Sequence, residues 1–382
     1  MSNKDFQFFF AGFIPQKDKL LLISYANFLM EFDLNNSELQ FVQSMNTEVC
    51  GMLAPYHAER FLQVGKSLLA TSMWGQNVYL YDTESDRWDI LEIDCHQKEW
   101  GNFLGIFVRE ECVYFVPRYR EYIIRIHPET KEIFRLNCSM ISKLDVENVI
   151  PCMKDEFLYF FDGTNACVLI YHLRTRKYEA KKIDGITGRI SAVQYYKKRF
   201  FILFASGKTG AWNEQDNTLE TVIEPIDETR PISFGQFAVT DQNIWLFPAL
   251  GEDIYVYDYG DKIKKRYEEY PEKLEYMDFE NYYKFLPGIR YEDKIYFGMH
   301  CANHLLCIDV NTGKEEWFYP KLPTQRQADT FRRYHGLSVE EQEKDTSLID
   351  FLNRVPKVED DGMTYVWKRK MIGSDIWEKL GE

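Results

Sequence analysis

The segment His300-Cys301-Ala302-Asn303-His304-Leu305-Leu306-Cys307 sets two imidazoles four residues apart with two thiols beside them, the donor types that hold zinc or copper. Across a tight hairpin His300 and His304 would oppose each other. Strand alternation sends Cys301 to the other face from His300, so the four donors do not converge and no metal is expected. Gly207-Lys208-Thr209-Gly210 has the residue types of a phosphate loop, but such a loop follows a strand and opens a helix, whereas this one lies in a hairpin between strand-like runs. No Gly-x-Ser-x-Gly elbow occurs. Nothing in the chain calls for a cofactor, and no residue is singled out as catalytic.

What remains is recognition chemistry: guanidinium and amide groups that form hydrogen-bonding forks, and aromatic rings that offer flat platforms. The residues of this kind that fall in connecting segments are Trp74, Trp100, Asn102, Arg118, Tyr119, Arg120, Arg189, Gln236, Tyr282, Lys284, His300 and His304, with Asn148, Asp162, Asn165 and Lys208 beside them. They are expected to bind a ligand together, provided the fold brings their segments to one surface.

A repeated unit supplies that surface. The strings FLMEFDLNNSELQFV, VYLYDTESDRWDIL, IIRIHPETKEIFRL, VLIYHLRTRKYEA, GAWNEQDNTLETVI, IYVYDYGDKIKKRY and LLCIDVNTGKEEWFY share one pattern. An apolar strand ends on a polar anchor, a short polar turn follows, and a further strand begins. The anchors are Asp33, Asp82, His127, His172, Asn213, Asp258 and Asp309, at steps of 49, 45, 45, 41, 45 and 51 residues. Asp, Asn and His at such a point accept backbone N–H bonds in a tight turn. The aromatic that follows (Trp88, Phe134, Tyr178, Trp317) is expected to pack between neighbouring units.

Two further apolar runs precede each anchor, the first being FFFAGFI, RFLQVG, NFLGIFV, VIPCM, ISAVQYY, GQFAV and FLPGIRY. Four short strands per unit, seven times over, predict an all-β chain: a seven-bladed β-propeller over residues 6–322. With the innermost strand leading, the connections between blades and those between second and third strands open on the same face, and the recognition residues lie in these connections.

The string VYLYDTESDRWDIL resembles the third and fourth strands of a Kelch repeat, and LLCIDVNTGKEEWFY resembles both Kelch and quinoprotein-type propeller repeats. The resemblance runs over about residues 6–320 as architecture and implies a ring of blades around a channel. The Gly-Gly pair usual after the second strand of Kelch repeats is missing from every blade, and neither the sialidase box nor the Gly-His to Trp-Asp signature of signalling propellers occurs.

After Pro323 the period stops. Ser338 and Glu341 have capping-box spacing, and Leu348, Phe351, Leu352 and Val355 share one helical face, so residues 323–382 are expected to form a short, mainly helical C-terminal tail. The chain carries 60 acidic against 46 basic residues, a net charge of −14, which repels nucleic acid and anionic membrane surfaces. No run reaches the roughly 20 apolar residues that span a bilayer. Eight cysteines without a compact framework read as free thiols in a reducing cytoplasm. The expected function is a monomeric, non-catalytic binding or scaffold protein for a protein, peptide or glycan. The alternative is a propeller enzyme of lyase, epimerase or hydrolase type acting on a sugar or peptide in the central mouth.

Overall fold

The structure is a computed structural model that describes residues 10–24, 28–44, 61–71, 77–85, 87–93, 103–118, 120–145, 148–186, 188–226, 233–250, 253–272, 285–299 and 304–320. These residues form seven four-stranded antiparallel sheets, each built from four consecutive strands in simple meander order. The only helix among them is a three-residue 3₁₀ turn, Ile141–Lys143. The seven-bladed β-propeller expected from the repeat is therefore present. The expected helical tail lies outside the described residues.

The strands that open the blades are β1 (Phe10–Pro15), β5 (Phe61–Val64), β9 (Phe103–Arg109), β13 (Val149–Lys154), β17 (Ile190–Tyr196), β21 (Ser233–Val239) and β25 (Ile289–Tyr291). β1 meets β5, β9 meets β13, β13 meets β17, β17 meets β21, and β25 meets β1, so the opening strands surround the axis and the last blade returns to the first.

Burial follows radial position. Second strands such as β14 (Phe157–Asp162, FLYFFD) and β18 (Arg199–Phe204, RFFILF) are buried along almost their whole length, because a neighbouring blade covers each face. That is why they read as unbroken apolar runs rather than as alternating ones. Fourth strands such as β12 (Glu132–Asn137) and β16 (Tyr178–Lys182) are mostly exposed and charged, the composition that protects an open sheet edge from pairing with another chain.

This gradient corrects one expectation. Phe134 is 40% and Tyr178 48% exposed, so the aromatic after the anchor does not pack between blades at these two positions. It sits on an outermost strand with one side open to water, and the Arg125 guanidinium lies 4.3 Å above the Phe134 ring. Trp317, on the last strand β28 (Glu315–Phe318), is half-buried and donates from its indole N–H to the Tyr267 hydroxyl at 2.9 Å.

The core is a belt of inter-blade clusters. Ile14, Leu21, Leu68 and Tyr79 join the first two blades. Leu80 and Ile106 join the second and third, and Tyr114 and Leu169 the third and fourth. Phe161 and Trp212 join the fourth and fifth. One larger cluster runs through the fifth, sixth and seventh. Phe13, Phe32, Leu286, Tyr296 and Phe318 then pack the seventh blade onto the first. Among the described residues no backbone ladder links these two blades, and this apolar cluster joins them.

Candidate functional site

Because every sheet is an antiparallel meander, the connections from first to second and from third to fourth strands lie at one end of the ring. Those from second to third strands, and those between blades, lie at the other. The first end is built of tight turns: two residues separate Val64 from Ser67, Arg109 from Cys112, Lys154 from Phe157 and Tyr196 from Arg199. At the second end 16 residues separate Ser44 from Phe61 (45–60) and 22 separate Arg266 from Ile289 (267–288). Long connections on a rigid scaffold are where binding residues concentrate.

The tight-turn end is organised mechanically. Each third strand ends on an anchor: β3 (Phe28–Asp33), β7 (Asn77–Asp82), β11 (Tyr122–His127), β15 (Cys167–His172), β19 (Thr209–Asn213), β23 (Tyr255–Asp258) and β27 (Leu305–Asp309). Every anchor accepts a backbone N–H from the turn that follows. Asn35 donates to Asp33 Oδ1 at 2.7 Å, Glu84 to Asp82 Oδ1 at 2.9 Å and Thr130 to His127 Nδ1 at 3.3 Å. Arg174 donates to His172 Nδ1 at 3.2 Å, Gln215 to Asn213 Oδ1 at 3.1 Å, Gly260 to Asp258 Oδ1 at 2.8 Å and Thr312 to Asp309 Oδ1 at 2.8 Å. These amides hold the Asp82 and Asp309 carboxyls below the usual carboxylate range. The anchors are thus turn formers.

Polar ties between blades reinforce the same end. Gln16 donates to Gln63 at 3.0 Å, Arg109 to Glu156 at 2.9 Å, Lys154 to Glu214 at 2.8 Å and Gln242 to the Asn311 carbonyl at 3.2 Å. The Lys154 ammonium also lies over the rings of Tyr159, Tyr195 and Phe200.

At the other end, backbone hydrogen bonds connect the two loop sets. The Ala205 amide, in the loop after β18, donates to the Arg189 carbonyl at 2.9 Å, and the Phe234 amide donates to the Ala205 carbonyl at 3.0 Å. Similar bonds join Cys138 to Glu121, Gly163 to Asn148, Ile183 to Ala166 and Leu286 to Gly298. The convergence of both loop sets on one face, inferred from strand order, is therefore physical.

Arg118 and Arg120 are half-buried in the loop between β10 (Cys112–Pro117) and β11. Arg189 is exposed just before β17, and among the described residues its guanidinium has no hydrogen-bond or ion-pair partner. Lys208 lies over the Phe204 ring and reaches the Gly185 carbonyl at 3.5 Å. Asp162 is fully buried and accepts from the Thr164 and Asn165 amides and from Asn165 Nδ2 at 3.0, 2.9 and 2.7 Å. Asn148 and Thr164 both donate to Asp145 at 2.7 and 2.9 Å, so this polar group braces two loops of the face.

Two residues sit differently from their expected surface positions. Gln236 lies inside the innermost strand β21, beside a register shift at Gly235, and is half-buried there rather than sitting in a loop. His304 is 3% exposed, packed against Tyr319 and Trp317 with ring centroids 5.1 and 6.3 Å away, and burial pulls its imidazole down to about 4. Trp74, Trp100, Asn102, Tyr119, Tyr282, Lys284 and His300 lie outside the described residues. Among the described residues no three His, Cys, Asp or Glu side chains gather closely enough to hold a metal ion, and Cys112, Cys138, Cys152, Cys167 and Cys307 are free thiols.

No protein-family model and no curated protein sequence matches the chain. Solved structures do. The chain is similar to the β-propeller domain of Cps50 (Swd1) from Myceliophteria thermophila, with 11% identity and a TM-score of 0.51 over 84% of this chain and 100% of that one. It is also similar to PorZ of Porphyromonas gingivalis, a surface component of the type-IX secretion system, with 11% identity and a TM-score of 0.52 over 83% of this chain and 38% of that one. The computationally designed Ika8 protein matches with 10% identity and a TM-score of 0.51 over 82% of this chain and 87% of that one. At such identities the likeness is one of fold alone, and that fold is the β-propeller.

Proposed function

We propose that the protein is a non-catalytic binding or scaffold propeller of the cytoplasm that recognises a protein, peptide or glycan through its long-loop face, on blades of Kelch-like type. The reading is supported above all by the asymmetry of the two ends: tight turns and inter-blade ties at one, connections of up to 22 residues (267–288) at the other. Arg118, Arg120 and Arg189 place three guanidinium groups in these loops, and Trp100 and Tyr282 belong to the same connections by sequence. Arginine and large aromatics supply most of the binding energy at known interfaces. Among the described residues no helix is long and apolar enough to cross a membrane.

The test uses the full chain on a glycan array and a peptide library. The double variant Trp100→Ala/Arg118→Ala should keep the wild-type melting temperature and weaken the best hit at least about tenfold, the loss expected for removing an interface anchor. Lys66→Ala, on the tight-turn face, should leave that hit unchanged. Full binding by the double variant together with loss in Lys66→Ala would place recognition on the opposite face.

A further inference from the structure

A cleft of about 540 Å³ opens at the tight-turn end between the fifth and sixth blades, on the face opposite the long loops. Its inner end is Tyr196, the last residue of β17, whose hydroxyl donates to Asp241; Lys197 reaches the same carboxylate at 2.6 Å. It runs outward to β20 (Thr218–Ile223), the outermost strand of the fifth blade, and its far wall is the turn that carries Tyr257, Tyr259 and Lys262.

The repeat explains why this cleft exists. In several blades the residue two before the anchor turns a side chain to the next blade. That position is Leu80 in the second blade and Ile170 in the fourth, both buried in the interface they fill. In the fifth blade it is Ala211, which lines the cleft. The missing side-chain volume is not recovered by the neighbouring strand, because β20 shifts register there: Ile223 pairs Thr209 and Thr221 pairs Gly210, leaving Val222 as a bulge.

The walls carry groups with nothing to bind. Tyr257 and Tyr259 stand edge to face with centroids 6.0 Å apart, and among the described residues neither hydroxyl has a hydrogen-bond partner. Arg199 is paired with Glu220 at 2.8 Å and Lys197 with Asp241. Lys262 has no partner among the described residues, so the one uncompensated charge of the lining is positive in a chain whose net charge is −14. Lys262 is also held at φ 54°, a backbone state that costs a non-glycine residue about 1–2 kcal/mol.

We propose that this cleft is a second binding site, for a small ring-bodied carboxylate of the sugar-acid class. Lys262 pairs with the carboxylate. The tyrosine faces stack on the ring's C–H surface, and their hydroxyls with Thr221 meet the ligand hydroxyls. The Tyr196–Asp241 pair stops the inner end, which limits the ligand to a short one. A flat apolar acid would leave these hydroxyls and the Arg199–Glu220 pair facing hydrocarbon, which disfavours it.

Saturation-transfer NMR on the full chain tests this with glucuronate, glucose, benzoate and inorganic phosphate as probes. Glucuronate should bind and the other three should bind at least about tenfold more weakly, the discrimination expected for one charged contact or several unmet hydroxyls. Lys262→Gly removes the cation at a position where glycine is conformationally favoured. Ala211→Leu supplies the volume that Leu80 and Ile170 supply in the second and fourth blades. Both variants should melt at or above the wild-type temperature and lose glucuronate binding by about tenfold or more, whereas Lys143→Ala, in the exposed turn after β12 on the opposite face, should not. Absence of glucuronate binding, equal binding of glucose, benzoate or phosphate, or full binding by both cleft variants would overturn the assignment.

Discussion

In six of the turns after an anchor the fourth residue lies in the left-handed region: Ser37, Lys131, Arg176, Asn217 and Lys262 have φ between 54° and 59°, and Gly313 has 68°. Of these six only Gly313 is a glycine, so the other five carry conformational strain that a single substitution relieves. Arg176→Gly should raise stability by about 0.5–1 kcal/mol, the relief of strain less the added freedom of the unfolded chain. Gly313→Ala should do the reverse and cost more, because its Cβ would lie 2.5 Å from Asn243 Nδ2, whose amide donates to the Gly313 carbonyl at 3.1 Å. Urea denaturation of the two variants checks both signs. His304 makes a second residue-scale prediction. Its folded-state pKa, about 4, lies below the ordinary value of 6.5, so between these values the unfolded chain binds the extra proton. Stability attributable to His304 is then full above pH 6.5 and falls as pH drops toward 4, by up to about 3 kcal/mol. In His304→Gln the slope of stability against pH over that window should be shallower than in the wild type.

At the scale of elements, the blades are joined where a first strand of one blade meets the turns of the next. Between the fourth and fifth blades the Lys154 ammonium, at the end of β13, sits among three rings and on Glu214, which also accepts from the Tyr159 hydroxyl at 2.8 Å. Burial works against the charge on Lys154, but the Glu214 carboxylate more than offsets it and the ammonium is held charged above its usual range. Both side chains are less than a quarter exposed, so the pair is shielded from solvent screening. A double-mutant cycle with Lys154→Met and Glu214→Gln should show a coupling of about 1–2 kcal/mol, and Glu214→Gln alone should be the more damaging change because it strands a buried cation. A coupling within 0.3 kcal/mol of zero would mean that the rings, not the ion pair, hold Lys154.

For the whole molecule, the consequence of meander blades is a ring held shut by side chains. Phe13 is fully buried at the seam, with Leu20, Leu286 and Tyr296 in the same cluster. Gly298 leaves the space it needs, since a Cβ there would stand 3.3 Å from the Phe13 ring and 3.1 Å from Leu286. Phe13→Ala should cost about 3–5 kcal/mol, and the loss should be local first. Amide exchange under native conditions is expected to speed up in the first and seventh blades before the fourth and fifth, since the cluster that Phe13 anchors joins these two blades. Uniform acceleration around the ring would show that the seam is no weaker than any other interface.

The amino-acid sequence by itself determined the number of blades, their order and the anchor turns. Each of these is encoded within one unit of about 46 residues: an apolar run long enough for a strand, a side chain that caps its own turn, and a polar outer strand. The sharing of one face by two loop sets also followed from the sequence, because antiparallel order alone dictates it. Tertiary structure decided what depends on two blades at once. Phe134 and Tyr178 have the composition of interface residues yet stand at the rim, and His304 reads as a surface ligand yet is covered by Trp317 and Tyr319. The cleft beside Ala211 exists because a small side chain of the fifth blade faces Tyr257 and Tyr259 of the sixth, more than 40 residues further along the chain. A strand's own pattern states which side chains it turns to its neighbour; only the packed ring states whether the neighbour fills the space.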